Sequence, residues 1–158
     1  MRKSTGALAY LIRNRDEHPE LLAQWNEGWQ SYSFVGGHKR NEESFRECVI
    51  REVNEELRID EGSEFLVEPT ALSHLEYTAW SVRARVATAY TMEVFRVTLV
   101  STDIEAFVSR AAENCWVSFP EIWAGCTENG THISNTVRDI VRHILAENKN
   151  INVETSGF

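Results

Sequence analysis

Apolar positions along the chain follow two periods. Short alternating or continuous apolar runs predict strands at residues 6–13 (GALAYLIR), Leu21 to Trp25, Ala71 to Tyr77, Ala84 to Ala89, Tyr90 to Val100 and Cys115 to Phe119. Tyr32 to Val35 is a shorter apolar run that stops at Gly36-Gly37, and residues 38–43 are polar and read as a loop. The second period is helical. Val49, Ile50, Val53 and Leu57 make an apolar stripe within Ser44 to Leu57, and Ser44-Phe45-Arg46-Glu47 fits a capping box at its start. Val137, Ile140, Val141, Ile144 and Leu145 make a stripe within Ser134 to Glu147. Ile104 to Ala112 reads as a short helix or a mixed loop, and Glu121 to Ala124 as one helical turn after Pro120. Turns are expected around Asp16 to Pro19 and at Asn129-Gly130, and the polar tail from Asn148 is expected to fray.

No repeat, low-complexity tract or Pro/Gly/Ser-rich linker interrupts the pattern. One domain over residues 1–158 is expected, with a mixed β-sheet flanked by helices, an α/β class. The length is enough for a proper core, and 42% hydrophobic with 25% charged residues is a globular composition. The apolar run Ala7 to Ile12 is too short for a signal-peptide core or a membrane span. Cys48, Cys115 and Cys126 are odd in number and form no C-x-x-C pair, so neither a disulfide framework nor a zinc site is suggested, and a reducing cytoplasm is the simplest setting.

The formal net charge of −8 argues against general nucleic-acid binding, which needs clustered Lys and Arg. It points instead to carboxylates holding cations. Glu52, Glu55 and Glu56 stand at i, i+3 and i+4 of the first long helix, on one face and within about one turn. Like charges so close destabilise a helix and push one another's pKa upward, and Mg²⁺ or Mn²⁺ would relieve both penalties. For an isolated E-x-x-E-E, a solvated acidic face is the better reading. The surroundings favour a ligand site: Gly36-Gly37 permits close backbone approach, and Glu43 and Arg51, eight apart, can pair once the loop folds back.

These residues resemble the Nudix box, G-x5-E-x7-R-E-U-x-E-E-x-G-U, with U a bulky aliphatic. Here Gly37, Glu43 and the run Arg51-Glu52-Val53-Asn54-Glu55-Glu56-Leu57-Arg58-Ile59 match every specified position except the last glycine, which is Arg58. Glycine there would end the helix in a left-handed conformation, which costs arginine about 1–2 kcal/mol. Upstream, Tyr32-Ser33-Phe34-Val35-Gly36-Gly37 lacks the proline common before the glycine pair. Trp116 and Glu121 resemble a tryptophan and an acidic residue that often follow the last strands.

The resemblance implies the Nudix α/β/α sandwich and metal-dependent hydrolysis of a diphosphate linked to another group, usually in a nucleoside diphosphate derivative. By position, Glu52, Glu55 and Glu56 would be metal ligands, with a carbonyl of Gly36 or Gly37 as an additional one. Arg51 would orient Glu43 or a neighbouring carboxylate. The general base stays open among Glu52, Glu93, Glu113, Glu121 and Glu128. A homodimer is common among such proteins, and nothing in this chain bears on it. Two other activities share the fold: non-catalytic nucleotide sensing, and isomerisation of isopentenyl diphosphate with a catalytic cysteine, for which the three cysteines match no motif. His38 reads as a loop histidine before a phosphate contact, His74 and His132 as structural or exposed, and Cys48 as a buried filler. Trp25, Trp29, Tyr32 and Trp80 read as packing residues, one of which could line a substrate cleft.

Overall fold

The longest apolar runs make the longest strands. In the computed structural model, which describes residues 1–147, β1 (Arg2–Arg15) and β7 (Val86–Leu99) lie side by side and parallel, with Ala7 opposite Glu93 and Leu11 opposite Val97. Between them in sequence come β2 (His18–Asn26), β3 (Ser31–Ser33), β4 (Gly36–His38), α1 (Phe45–Leu57), β5 (Phe65–Val67) and β6 (Ser73–Ser81). After β7 follow α2 (Thr102–Arg110), β8 (Asn114–Ser118), α3 (Phe119–Ala124) and α4 (Asn135–Glu147). The sheet is mixed: β1 and β7 are parallel, and every other strand pairing is antiparallel.

Period-two alternation sorts β1 between two cores. Ala7, Ala9 and Leu11 pack with Val49, Val53 and Leu57 of α1 and Val108 of α2. Leu8, Tyr10 and Ile12 pack on the other face with Phe119 and Ile122 of α3 and Val137, Ile140, Val141 and Ile144 of α4. The result is the expected α/β/α sandwich. No helix among the described residues is long and apolar enough to cross a membrane.

Several boundaries move. His38 belongs to β4, paired with Gly6, rather than to the loop read over residues 38–43. Ala84 and Arg85 sit in a tight turn between β6 and β7, where the Arg85 amide donates to the Ser81 carbonyl at 2.7 Å, so the strand starts at Val86. The ambiguous segment after residue 103 is a true helix, because Ser101 caps it by accepting from the Ile104 amide. Strand β5 is too short for a periodic signal. The tail from Asn148 lies outside the described residues.

Candidate active site

Helix α1 begins as its sequence dictates. Ser44 caps it by accepting from the Glu47 amide, and Glu47 accepts in return from the Ser44 amide. The box carboxylates then divide. Glu52 falls on the covered side beside Val53 and is 9% exposed, whereas Glu55 and Glu56 face solvent.

A buried carboxylate needs partners. Glu52 Oε1 accepts from Arg51 Nη1 at 2.9 Å. Arg51 also grips Glu43 with both arms, Nε to Oε2 at 3.0 Å and Nη2 to Oε1 at 2.7 Å, and Nη2 donates to the His38 carbonyl at 2.9 Å. Glu55 Oε2 lies 3.4 Å from Nη1. Side-chain exposures of 18% for Arg51 and 11% for Glu43 set this apart from a surface ion pair. Arg51's hydrogen bonds, and then the Arg40 amide, hold the Glu43 carboxyl down to about 2, and the same Glu43 contact raises the Arg51 pKa.

Beneath this network lies β4. A Cβ placed on Gly37 would stand 2.5 Å from Glu52 Oε1, and one on Gly36 (φ 156°) would stand 2.2 Å from the Ala7 carbonyl oxygen. The two glycines let the carboxylate rest on the strand and the strand rest on β1. The Gly37 carbonyl accepts from the Cys48 thiol at 3.6 Å. Burial first, and then Glu43's charge, pushes that thiol up to about 11, so Cys48 is the filler that the sequence suggests.

Glu56 has its pKa raised by partial desolvation, then by the charges of Glu52, Glu55 and Glu113. Glu113, which precedes β8, lies 3.7 Å from Arg58 at the C-terminal end of α1. No ready-made metal cage of three His, Cys, Asp or Glu side chains exists among the described residues. The donor chemistry nevertheless fits a hard divalent cation, because the crowded groups are all carboxylate oxygens and Glu56 carries the cost of their mutual repulsion. Arg58 ends α1 at φ 59° and ψ 43°, with its amide donating to the Asn54 carbonyl at 3.0 Å, so arginine takes the left-handed conformation that the absent glycine would favour.

The opposite face of the sheet holds a cleft of about 660 Å³. Its floor is the alternate set of β1 side chains, Ser4, Gly6 and Leu8, with Tyr90 of β7 and Tyr77 of β6. Those two tyrosines stack at 5.2 Å between centroids, and Thr136, Val137 and Ile140 of α4 form one wall. Gly36, Gly37 and His38 line it too. Gly37 therefore touches Glu52 on one side and the cleft on the other. His38 is held at both ends: Arg51 binds its carbonyl, and the buried Ser4 hydroxyl lies 3.0 Å from Nδ1.

Of the aromatics, Trp29 and Trp80 line the cleft, whereas Trp25 and Tyr32 pack edge to face against each other at 5.3 Å. Trp116 lies under the Arg13 guanidinium, 4.2 Å from its ring centroid. Among the remaining general-base candidates, Glu93 bonds His74 Nδ1 at 2.8 Å and raises that histidine's pKa. Glu121 closes the α3 capping box and also accepts from the Glu128 amide. Both Glu121 and Glu128 line a separate groove of about 470 Å³, which shares no residue with the cleft. His132 bridges to Cys126 through its backbone. Sequence reading missed Ser4, Tyr77 and Tyr90. The available signal was that Ser4 and Gly6 extend the Leu8, Tyr10 and Ile12 face of β1 with small or polar residues.

The NUDIX domain family model matches residues 2–136, and the chain belongs to this family. No curated protein of related sequence was found. Solved structures with the same fold include the Ap4A hydrolase of C. elegans, with a TM-score of 0.64, 14% identity and coverage of 92% of this chain and 98% of that one. The MutT protein of Methanosarcina mazei Go1 has a TM-score of 0.59 and 20% identity, over 94% and 96% of the two chains. The NUDIX domain of Shewanella oneidensis NrtR, crystallised with ADP ribose, has a TM-score of 0.59 and 12% identity, over 92% and 90%.

Proposed function

We propose that this protein is a divalent-metal-dependent hydrolase that cleaves a diphosphate linkage in a nucleoside diphosphate derivative. The observation that carries the reading is Gly37, which packs against Glu52 on one face of the sheet and lines the cleft on the other. A ligand lying in the cleft can present its diphosphate past the side-chain-free Gly36-Gly37 pair to the carboxylates of α1. Mg²⁺ or Mn²⁺ held by Glu52, Glu55 and Glu56, with a carbonyl of Gly36 or Gly37 in reach, would neutralise the diphosphate and lower the pKa of attacking water.

The chain's own residues set the rest. Arg51 fixes Glu52 and Glu43 in place and is a positioning residue. The water's proton would go to a carboxylate beside the metal, with Glu52 of the box and Glu113, whose charge bears on Glu56, as the candidates. Glu93 and Glu121 are committed to His74 and to the α3 cap. The structurally similar Ap4A hydrolase and the NrtR domain complexed with ADP ribose agree with a nucleotide-linked diphosphate as the substrate class.

A panel of nucleoside diphosphate derivatives with Mg²⁺ or Mn²⁺, followed by release of phosphate products, tests the reading. Glu56→Gln is expected to lower kcat by roughly two orders of magnitude or more while the circular dichroism spectrum stays unchanged. Equal turnover by that variant would refute the site. Binding without turnover by the parent would make the domain a nucleotide-binding module instead.

A further inference from the structure

We propose that Arg2 and Arg83 form a second anion subsite at the far end of the cleft, and that the ligand carries a further phosphate remote from its diphosphate. This rests on the reading above for where the diphosphate sits.

The chain has 24 Asp and Glu against 16 Lys and Arg, yet among the described residues no carboxylate lines the cleft. Its charged lining groups are Arg2 and Arg83. An acidic protein that keeps carboxylates out of one concavity and places two guanidinium groups there has a cleft suited to anions.

Strand register locates this charge. Gly6 pairs with His38 and Ala7 with Gly37, which marks the end beside α1. Arg2 pairs with Thr88, and Thr88 in turn pairs with Ala79 of β6. Gly6 is four steps along β1 from Arg2, so the two ends stand about 13 Å apart at roughly 3.3 Å per residue. Arg83 lies in the turn that joins β6 to β7, at the Arg2 end. One N–H of Arg2 donates to Thr88 Oγ1 at 3.1 Å; Thr88 itself is fully buried and donates to the Val86 carbonyl. The guanidinium is thus anchored at one corner on a residue that lines the cleft.

Between the two ends the Tyr77–Tyr90 stack, level with Ser4, lies on the floor. Trp80, opposite Ala87, stands one pair beyond Thr88 at the arginine end and is 65% exposed although it lines the cleft, as does Trp29 from the loop after β2. An aromatic floor that leads to a cation-lined end suits a nucleoside with an anionic group held beside the cations. A nucleoside diphosphate whose ribose bears another phosphate has this order of groups.

The test compares adenosine diphosphate with its ribose-3′-phosphorylated analogue, binding to the full chain with Mg²⁺ by calorimetry. The analogue is expected to bind about tenfold more tightly to the parent, and Arg83→Gln or Arg2→Gln should reduce that advantage to about threefold or less. Arg83 is in an exposed turn, so its variant decides the matter if the Arg2 variant unfolds. Equal affinity of the parent for the two probes overturns the subsite, as does an advantage that survives both substitutions. Failure of the hydrolase reading looks different: the affinity difference stays and no diphosphate probe is hydrolysed.

Discussion

The two faces of the central sheet use sequence differently. The α1 face gathers its chemistry from one continuous stretch, Gly37 to Arg58, with Glu113 added from afar. The cleft face draws on β1, β4, β6, β7, α4, the loop after β2 and the turn after β6, two to four residues from each. The first face is charged, hydrogen-bonded and closed by Arg51. The second is aromatic, open and, among the described residues, free of carboxylates. The carboxylate cluster is specified locally, by helix spacing, whereas the cleft is specified by what the folded sheet brings together.

Substitutions at the strand between the faces test this division most severely. Gly36→Ala would drive a Cβ into the Ala7 carbonyl backbone, which cannot yield, so loss of the folded state in thermal melts is expected. Gly37→Ala meets the movable end of Glu52, so the fold should survive at a cost of about 1–2 kcal/mol, with kcat down by roughly tenfold or more as the carboxylate shifts. Full activity of Gly37→Ala would break the link between the two faces.

Trp80→Ala sharpens the contrast from the cleft side. It should raise KM about tenfold and change kcat by less than about twofold, since stacking contributes about 1–3 kcal/mol to binding a base. A kcat effect as large as that of Glu56→Gln would mean that the faces do not divide the labour.

Acid should loosen the α1 face first. The Glu43 pKa is depressed from 4.5 to about 2 in the folded chain, so its contribution to stability is present above 4.5 and is lost as pH falls toward 2. Urea midpoints measured between neutral pH and about pH 3 should fall less steeply for Glu43→Gln than for the parent. The smallest effect belongs to Arg58→Gly. It removes a left-handed arginine and should raise stability by about 1 kcal/mol or less, since the ion pair given up with Glu113 is an exposed one.

What the sequence revealed follows the same boundary. The capping box, the apolar stripe and the Arg51–Glu43 pairing all depend on spacings of three to eight residues, and all are present. The burial of Glu52 was not legible, because it depends on Gly37 arriving beneath the helix through pairing with β1. Trp29 and Trp80 could not be told from Trp25 by type, since only tertiary packing sets Trp25 against Tyr32. Ala84 reads as strand on propensity, but the turn needs the left-handed Arg85 beside it. The family's fold was written in a run of 23 residues, and the choice of ligand was written across the rest.

The guanidinium of Arg51 has a kinetic consequence. It ties the His38 carbonyl to Glu43 across the segment that leads into α1, so both ends of that segment are clasped. Such a clasp removes conformational freedom before any encounter with a partner molecule. Backbone amides there should exchange with deuterium nearly as slowly in the free protein as in the liganded one, and association should proceed without a slow ordering step.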